Sequence, residues 1–346
     1  LMPSITMKRG LSVPAGLQRF GLRRLDGLGR LATSGRMQDR GCCMIFHRAV
    51  ASAEWAGMAN RGFHLDIGYL ERLVRYVQAS GWDIVSMSEA VRRTAQPGHR
   101  RFVNFSLDDC YRDTAELVVP LFMRLGAPIT LYVTTGIPDG TMRLRNAGLE
   151  TILGRAECVA DDGFLYVLHN PKQRRAAYAA ISRRWERAGG DADYLRFCDR
   201  LGEDADRLDA EHRITWTMLE RLRDTPGVEI GAHTVSHRRI ASLDSRAAQA
   251  EIGGSRARLE ERLGIPVRHF AFPYGLSADC GPRDFALARD AGFASAATTR
   301  KALLRPGADP YSLPRHTING SHRHLAFAQA HLSGASALGS SVLRRG

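Results

Sequence analysis

Two carboxylates, Asp108 and Asp109, stand side by side at the end of the apolar stretch RFVNFSLDDCYRD. Each makes the other harder to ionise, and burying either without a partner is costly, so something must hold them there. Much later, HTVSH places His233 and His237 four residues apart, a spacing that on a helical turn puts both imidazoles on one side. Two histidines and one carboxylate form a ligand set for a catalytic divalent cation, with positions left for water and substrate. With Asp109 as the third ligand, the cation offsets the repulsion within the pair, and Asp108 stays beside it as a general base. Taken singly, an acidic pair more often caps a helix or sits in solvent, and a lone HxxxH is more often surface. Their placement at the ends of separate predicted strands gives them weight.

The elements that must position these residues alternate along the chain. GCCMIF reads as a strand that ends at His47, and LDIGYLERLVRYVQASG spaces Leu65, Tyr69, Leu70, Leu73, Val74 and Val77 on one helical face before Gly81. RFVNFSL and the β-branched APITLYVTTG are strands on either side of a helix over DTAELVVPLFMRLG, interrupted at Pro120. From about 140 to 226 the regularity is lost, and pieces such as RRAAYAAISRRWERAGG and TWTMLERLRD predict a helical insertion. Alternation resumes with the strand GVEIGAH and a helix from Ser245 to Leu263, capped by Asp244 and ended by Gly264. The strand VRHFAFPYG, the helix PRDFALARDAG and the strand FASAATT follow. Such a pattern predicts a parallel α/β sheet, most economically closed as a barrel whose strand ends gather reactive groups on one rim. The expected organisation is a basic leader over 1–40, a barrel over 41–320 and a small, polar tail over 321–346.

Composition narrows the classes. With 346 residues, 44% of them hydrophobic and 25% charged, the chain is globular and long enough for a sizeable core. Six cysteines without CxxC spacing read as free thiols, which fits a reducing, cytoplasmic setting. The formal charge is +13, and the first 40 residues hold eight Lys or Arg against two Asp, so nearly half the excess lies there. That leader has no signal-peptide core; it reads as a solvated segment, with weak contact to an anionic membrane surface as the second expectation. Elsewhere basic and acidic residues are interleaved, and no nucleic-acid-binding motif is present.

SLDDC, HTVSH and FAFPYG resemble the recurring motifs of the NodB-like polysaccharide deacetylases, carbohydrate esterase family 4, whose common forms are TFDDG, HSxxH or HTxxH, and RxPYG. The resemblance runs from about His47 to Arg315 and takes in YVTTG and AGFASAATT. It implies a distorted (β/α)7 barrel that removes acetyl groups from N-acetylated or O-acetylated sugars, with an N-acetylated carbohydrate expected here, and within the family the exopolysaccharide or chitooligosaccharide branch. Carried over, Asp108 is the base, while Asp109, His233 and His237 bind a divalent cation, with zinc expected. The main-chain N–H of Tyr274 is then the oxyanion donor.

Departures are informative. Cys110 stands where the family usually has Gly, Leu107 replaces Phe, and Ala271 falls where many members carry an arginine that orients the base; Arg315 is the candidate substitute. The leaving amine needs an acid. The poly-N-acetylglucosamine deacetylase branch, in which the motif order looks permuted, has its histidine on the first strand in an aromatic-His context. IFHR fits that pattern, so His47 is preferred to His316, the nearby histidine of the late LPRH segment. His322 and His324 read as a solvated pair, His269 as a core or sheet-face residue, and Trp185 and Trp216 as packing rather than sugar platforms. Two rivals stay open: an iron oxygenase with the same ligand types, and a catalytically silent carbohydrate-binding protein on the same fold.

Overall fold

The computed structural model describes residues 40–188 and 190–336. All of the leader before Arg40, with its expected membrane contact, and the end of the tail lie outside the described residues. Twelve short strands are formed among the described residues: β1 (Gly41–Phe46), β2 (Arg48–Val50), β3 (His64–Asp66), β4 (Asp83–Ile84), β5 (Phe102–Asp109) and β6 (Ile129–Val133) come first. β7 (Cys158–Asp161), β8 (Phe164–Val167), β9 (Val228–Ala232), β10 (His269–Ala271), β11 (Ser295–Ala297) and β12 (His316–Thr317) follow. Eight of them make one sheet in the order β11-β10-β9-β6-β5-β1-β12, with β4 beside the start of β5, and every pairing in it is parallel.

The sheet turns back on itself. Leu313 donates its main-chain N–H to Ala296 and accepts from Thr298 beside β11, and three residues later His316 pairs with Met44 of β1. Seven strands thus surround one interior, the distorted (β/α)7 barrel expected from the sequence.

Alternation along the strands sorts side chains between two environments. On β5, Val103, Phe105 and Leu107 face outward into the main core, with Met44 and Phe46 of β1 and Ile129, Leu131 and Val133 of β6. The helices Ile67–Ala79 and Ser245–Leu263 cover that face with Leu70, Leu73, Val74, Ile252 and Leu259. The intervening residues of β5 line the barrel interior and are polar. Asn104 donates to the Val85 carbonyl and to Thr130 Oγ1, and Ser106 and Asp108 follow on the same side.

Several local expectations hold. Asp244 accepts from the Ala247 N–H to start the helix Ser245–Leu263, and Gly264 ends it at φ 66°. Others are corrected. Leu65 belongs to β3, immediately before Asp66, which caps the helix Ile67–Ala79. The segment around Pro120 forms a π-helical turn, Thr114–Val118, before the α-helix Val119–Arg124, which puts the proline in a first turn where its missing N–H costs nothing. The insertion contains an antiparallel hairpin, β7 with β8, as well as helices, and has its own core around Trp185, Tyr194 and Phe197. Its last helix, Trp216–Arg223, packs instead into the main core. Nor is the first part of the tail separate: Ala328 and Leu332 of the helix Leu325–Leu332 join the main core, and His322 packs on Phe327 at 4.7 Å rather than standing in solvent. The six cysteines are free, and no helix among the described residues is long and apolar enough to cross a membrane.

At the opposite end of the barrel from the strand tips, Glu229 of β9 ties a helix to the sheet. Its carboxylate accepts from the Met87 and Ser88 N–H groups at the start of the helix Met87–Ala95 and from the Ser88 hydroxyl, with His269 Nε2 3.3 Å away. Burial opposes its charge, but the His269 ring and the Ser88 donors outweigh burial and hold the carboxyl at about 2. A depressed acid stabilises the fold above its unfolded value and loses that contribution as pH falls toward its folded value. Glu229→Gln is therefore expected to lose about 1–3 kcal/mol at neutral pH. The gap between wild type and variant, read by urea unfolding, narrows as pH falls below about 4.3; a gap undiminished near pH 2 would show that the charge is not what holds the helix.

Candidate active site

Parallel strands finish on one rim, and the chain bends sharply there. Asp108 is the last interior position of β5, and the backbone then enters the left-handed region at Asp109 (φ 70°) and Cys110 (φ 65°), turning the Asp109 carboxylate over the rim. This is the site at which the family's usual Gly is replaced by Cys110, and the turn forms regardless.

Arg315 comes up through the barrel interior, fully buried, and grips Asp108 with two parallel bonds: Nη1 to Oδ1 at 2.7 Å and Nη2 to Oδ2 at 2.8 Å. Two further donors are used as well, Nη1 toward Ser106 Oγ at 3.2 Å and Nε toward the Thr298 carbonyl at 3.1 Å. The guanidinium also lies 5.2 Å from the centre of the Tyr132 ring. Burial opposes ionisation of Asp108, but the guanidinium outweighs it and holds the carboxyl below its usual value. Arg315 thus occupies the orienting position that Ala271 leaves empty.

His233 follows β9. Its Nδ1 lies 2.8 Å from the Ala271 carbonyl, which can only accept, so Nδ1 carries the proton and the Nε2 lone pair faces the acids. Nε2 is 3.6 Å from Asp109 Oδ1 and 3.8 Å from Asp108 Oδ2, and His237 Nε2 is 3.3 Å from Asp109 Oδ1. Ligand atoms of Asp109, His233 and His237 all lie within 4.8 Å of one another. Asp109 Oδ1 is buried without a hydrogen-bond donor, and burial lowers His233 to about 4, which keeps it neutral. An orphaned carboxylate oxygen facing two imidazole nitrogens fits a divalent cation.

HTVSH does not form the helical turn that its spacing suggests. It is a bend, with Thr234 at φ 68° and His237 at φ 56°, because its peptide groups are committed elsewhere. Glu251 accepts from the Val235 and Ser236 N–H groups at 3.0 and 2.9 Å and from the Ser236 hydroxyl, while the Thr234 and Val235 carbonyls accept from Thr135 and Gly136. Sequence reasoning did not find Glu251. The available signal was an acid on the buried face of the helix Ser245–Leu263, in line with Ala248, Ile252, Ser255 and Leu259.

An open cleft of about 590 Å³ lies over the rim, bounded by His47, Asp109, His237 and Tyr274 from the barrel and by Arg143–Asn146 and Glu186 from the insertion. His47 stacks on Phe63 at 4.8 Å, and its neighbour Arg48 is fixed by Asp113. Burial lowers the His47 pKa, and Asp109 and then Asp108 push it back up. Tyr274, at φ 61°, sits 5.1 Å from the His237 ring. Thr299 pins the turn through its N–H to Gly275 O, and a side chain on Gly275 (φ 72°) would come within 2.7 Å of Thr299 N, so only glycine fits. His316 is elsewhere. Fully buried, it packs on His331 at 4.8 Å and meets Ser336 Oγ at 3.2 Å. Trp185 and Trp216 are buried packing residues, the latter bonded to Asp139.

A parallel barrel bearing an oriented acid beside an Asp-His-His set defines a hydrolase-type site, and comparison with known proteins gives its class. The family described as polysaccharide deacetylase matches residues 95–294, more than half of the chain, and the chain belongs to that family of deacetylase hydrolases. The match spans Asp108, Asp109, His233, His237 and Tyr274; His47 and Arg315 lie outside it. Among solved structures, the chain is similar to the deacetylase PplD of Streptococcus pyogenes, determined in complex with acetate. The two share 15% identity over 82% of this chain and 94% of that one, with a TM-score of 0.55. IcaB from Ammonifex degensii is 16% identical over 86% of this chain and 97% of its own, with a TM-score of 0.54. A de-N-acetylase from Aggregatibacter actinomycetemcomitans is 12% identical over 84% and 98%, with a TM-score of 0.51. At these identities the likeness is one of fold. No curated protein matches the sequence. The family assignment sets aside both the oxygenase and the silent binding protein.

Glu251 gives this site its test. Glu251→Ala frees the peptide groups between the two histidines and is expected to weaken divalent-cation affinity about tenfold with the fold retained. Competition with a chromogenic chelator measures it, and unchanged affinity would show that the loop holds its shape without Glu251.

Proposed function

We propose that the protein removes N-acetyl groups from an oligo- or polysaccharide containing N-acetylglucosamine, using a divalent cation, zinc by its donor set, held by Asp109, His233 and His237. The observation that carries the reading is the doubly bonded Asp108–Arg315 pair set directly beside the orphaned Asp109 oxygen. One acid is oriented and kept ionised, and the other is left without donors. The fold shared with a de-N-acetylase supports an amide rather than an ester substrate.

When bound, the cation supplies a Lewis acid for the acetyl carbonyl and lowers the pKa of the attacking water. Asp108 takes the proton that the water gives up as its oxygen bonds to the carbonyl carbon. The Tyr274 N–H is the protein's donor to the developing oxyanion. Collapse breaks the C–N bond and yields acetate and an amine, which His47 protonates as it leaves. Burial makes the protonated form of His47 a minor one in the free site, and the neighbouring carboxylates are what favour it. The same ring stacked on Phe63 leaves an apolar wall for the acetyl methyl or the sugar face.

Acetate release from N-acetylglucosamine oligomers, with cation content measured on the same preparation, tests the reading. Asp109→Ala, His233→Ala and His237→Ala are each expected to lose both bound cation and activity. Asp108→Asn keeps the cation and loses about 10²–10⁴ in rate, and near-normal turnover in that variant would remove it as the base.

His47 and His316 separate on substrate type. His47→Ala is expected to depress amide hydrolysis far more than hydrolysis of activated acetate esters, whose leaving groups need no proton. His316→Ala keeps the wild-type ratio, because His316 is walled off from the cleft by the sheet. The reverse ranking would transfer the acid role to the late segment.

A further inference from the structure

Beside the cleft a second depression, of about 370 Å³, continues past Phe63, sharing Glu186 as a wall and beginning where Gly62 adjoins that phenylalanine. Its lining is basic. Arg61 comes from the loop before β3, and Arg175 and Arg183 come from one face of the insertion helix Pro171–Ala188. Next to it, Arg323 from the tail lies against the same Trp55 ring as Arg61, at 4.3 Å against 3.9 Å.

These arginines differ from those of the cleft itself. Arg143 is paired with Asp209, Arg145 with Asp191 and Arg239 with Asp279. Among the described residues Arg61, Arg175, Arg183 and Arg323 have no carboxylate within ion-pair distance, and neither does Glu186 pair with any of them. Arg61 Nε and Arg175 Nη1 are buried donors with no acceptor. Burial, and then the charges of Arg175 and Arg323, push the Arg61 pKa down. Cations gathered at one spot, with buried N–H groups left unpaired, cost free energy that the folded chain alone does not recover. An anion placed there restores both the missing acceptors and the charge balance, and guanidinium forks suit the planar or tetrahedral oxygens of carboxylate and phosphate.

We propose that this depression is a subsite for an anionic group, phosphate or carboxylate, carried by the glycan substrate on a sugar next to the one that is deacetylated. The proposal rests on the deacetylase reading for the identity of the glycan, while the subsite itself rests on the arginines. Continuity with the cleft through Phe63 and Glu186 gives the glycan its path: one residue presents its acetamide to Asp108, and a neighbouring residue presents its charge to Arg61 and Arg175. Trp55, beneath two guanidinium groups, holds their planes in place.

The test is equilibrium binding of N-acetylglucosamine trisaccharides to the full chain loaded with its cation, by calorimetry. The probes are the neutral trisaccharide, one with phosphate on either terminal sugar, and one with a terminal glucuronate. Wild type is expected to bind a phosphorylated trisaccharide about tenfold more tightly than the neutral one. The advantage shrinks as salt is raised. Arg61→Gln combined with Arg175→Gln abolishes it without changing neutral binding, and Arg246→Gln, on a distant helix, leaves it intact. A matching gain for the glucuronate shows that charge alone is read; a gain for phosphate only shows that its geometry is read. Equal binding of neutral and anionic probes, or an advantage that survives the double variant, overturns the subsite. Acetate release is scored on the same samples. A protein that prefers the anionic trisaccharides yet hydrolyses none of the set keeps the subsite and refutes the deacetylase reading.

Discussion

Arg315 and Asp108 meet inside the barrel with neither exposed to solvent, and much of the interior is arranged around that contact. Taking two charges out of water costs several kcal/mol per ion, which is recovered only when the geometry is close and the remaining donors are satisfied. Here both conditions hold: two bonds to the carboxylate, one to Ser106 and one to Thr298 engage all three nitrogens and four of the five N–H donors. The space for it comes from small neighbours, Cys43, Ala271 and Ala297, in the interior layer that includes Tyr132. An alanine at 271 and an arginine at 315 are therefore one design seen from two strands. Ala271 leaves room for the guanidinium and lends its carbonyl to His233, so the same short strand supports both the Asp108–Arg315 pair and the His233 ring.

The rim above is strained where the interior is orderly. Of the six non-glycine residues with positive φ among the described residues, five lie at the site: Asp109, Cys110, Thr234, His237 and Tyr274. Each costs about 1–3 kcal/mol and persists only where its surroundings fix it. Those surroundings can be named. Tyr132 O accepts from the Cys110 thiol, Glu251 and Thr135 fix the histidine bend, and Thr299 fixes the turn at Tyr274. The strain has a chemical purpose, since a β-strand alternates its side chains and cannot present two successive carboxylates to one centre. Breaking the alternation at Asp109 sends Asp108 to Arg315 and Asp109 to the histidines.

The parts of the structure legible in the sequence are those fixed by period and by chain ends. RFVNFSLDD alternates apolar and polar residues, and the apolar set went to the outer core while the polar set lined the interior. Strand ends were readable because parallel strands share a rim, which brought His47, Asp108, Asp109, His233 and Tyr274 together across more than half of the sequence. What escaped detection depends on contacts between distant segments. HTVSH has the spacing of a helix, and only Glu251, on the next helix, reveals that its amides are taken. His316 looks equivalent to His47 by motif position, yet strand register sets it level with Met44, below the rim, where His331 covers it. The tail looked solvated because its composition is small and polar, but Ala328 and Leu332 suffice to dock it.

The insertion does more than roof the cleft. It is fastened to the barrel at two places close to His47: Arg48 meets His212 Nδ1 at 3.3 Å, and Tyr111 bridges to Arg213. Arg48 is the residue after His47, and its other partner, Asp113, follows the acidic pair by four positions. Burial, and then the Arg48 charge, lower His212 to about 4, so it stays neutral and bonds without adding a second charge. The element that gives the cleft its far wall thus also sets the position of the strand end that carries the histidine. A shift of the insertion would displace Arg48 and, with it, His47, so the far wall of the cleft and the His47 ring move together. Asp108, Asp109, His233 and His237 are held from inside the barrel and from its outer helix, and are insulated from that change.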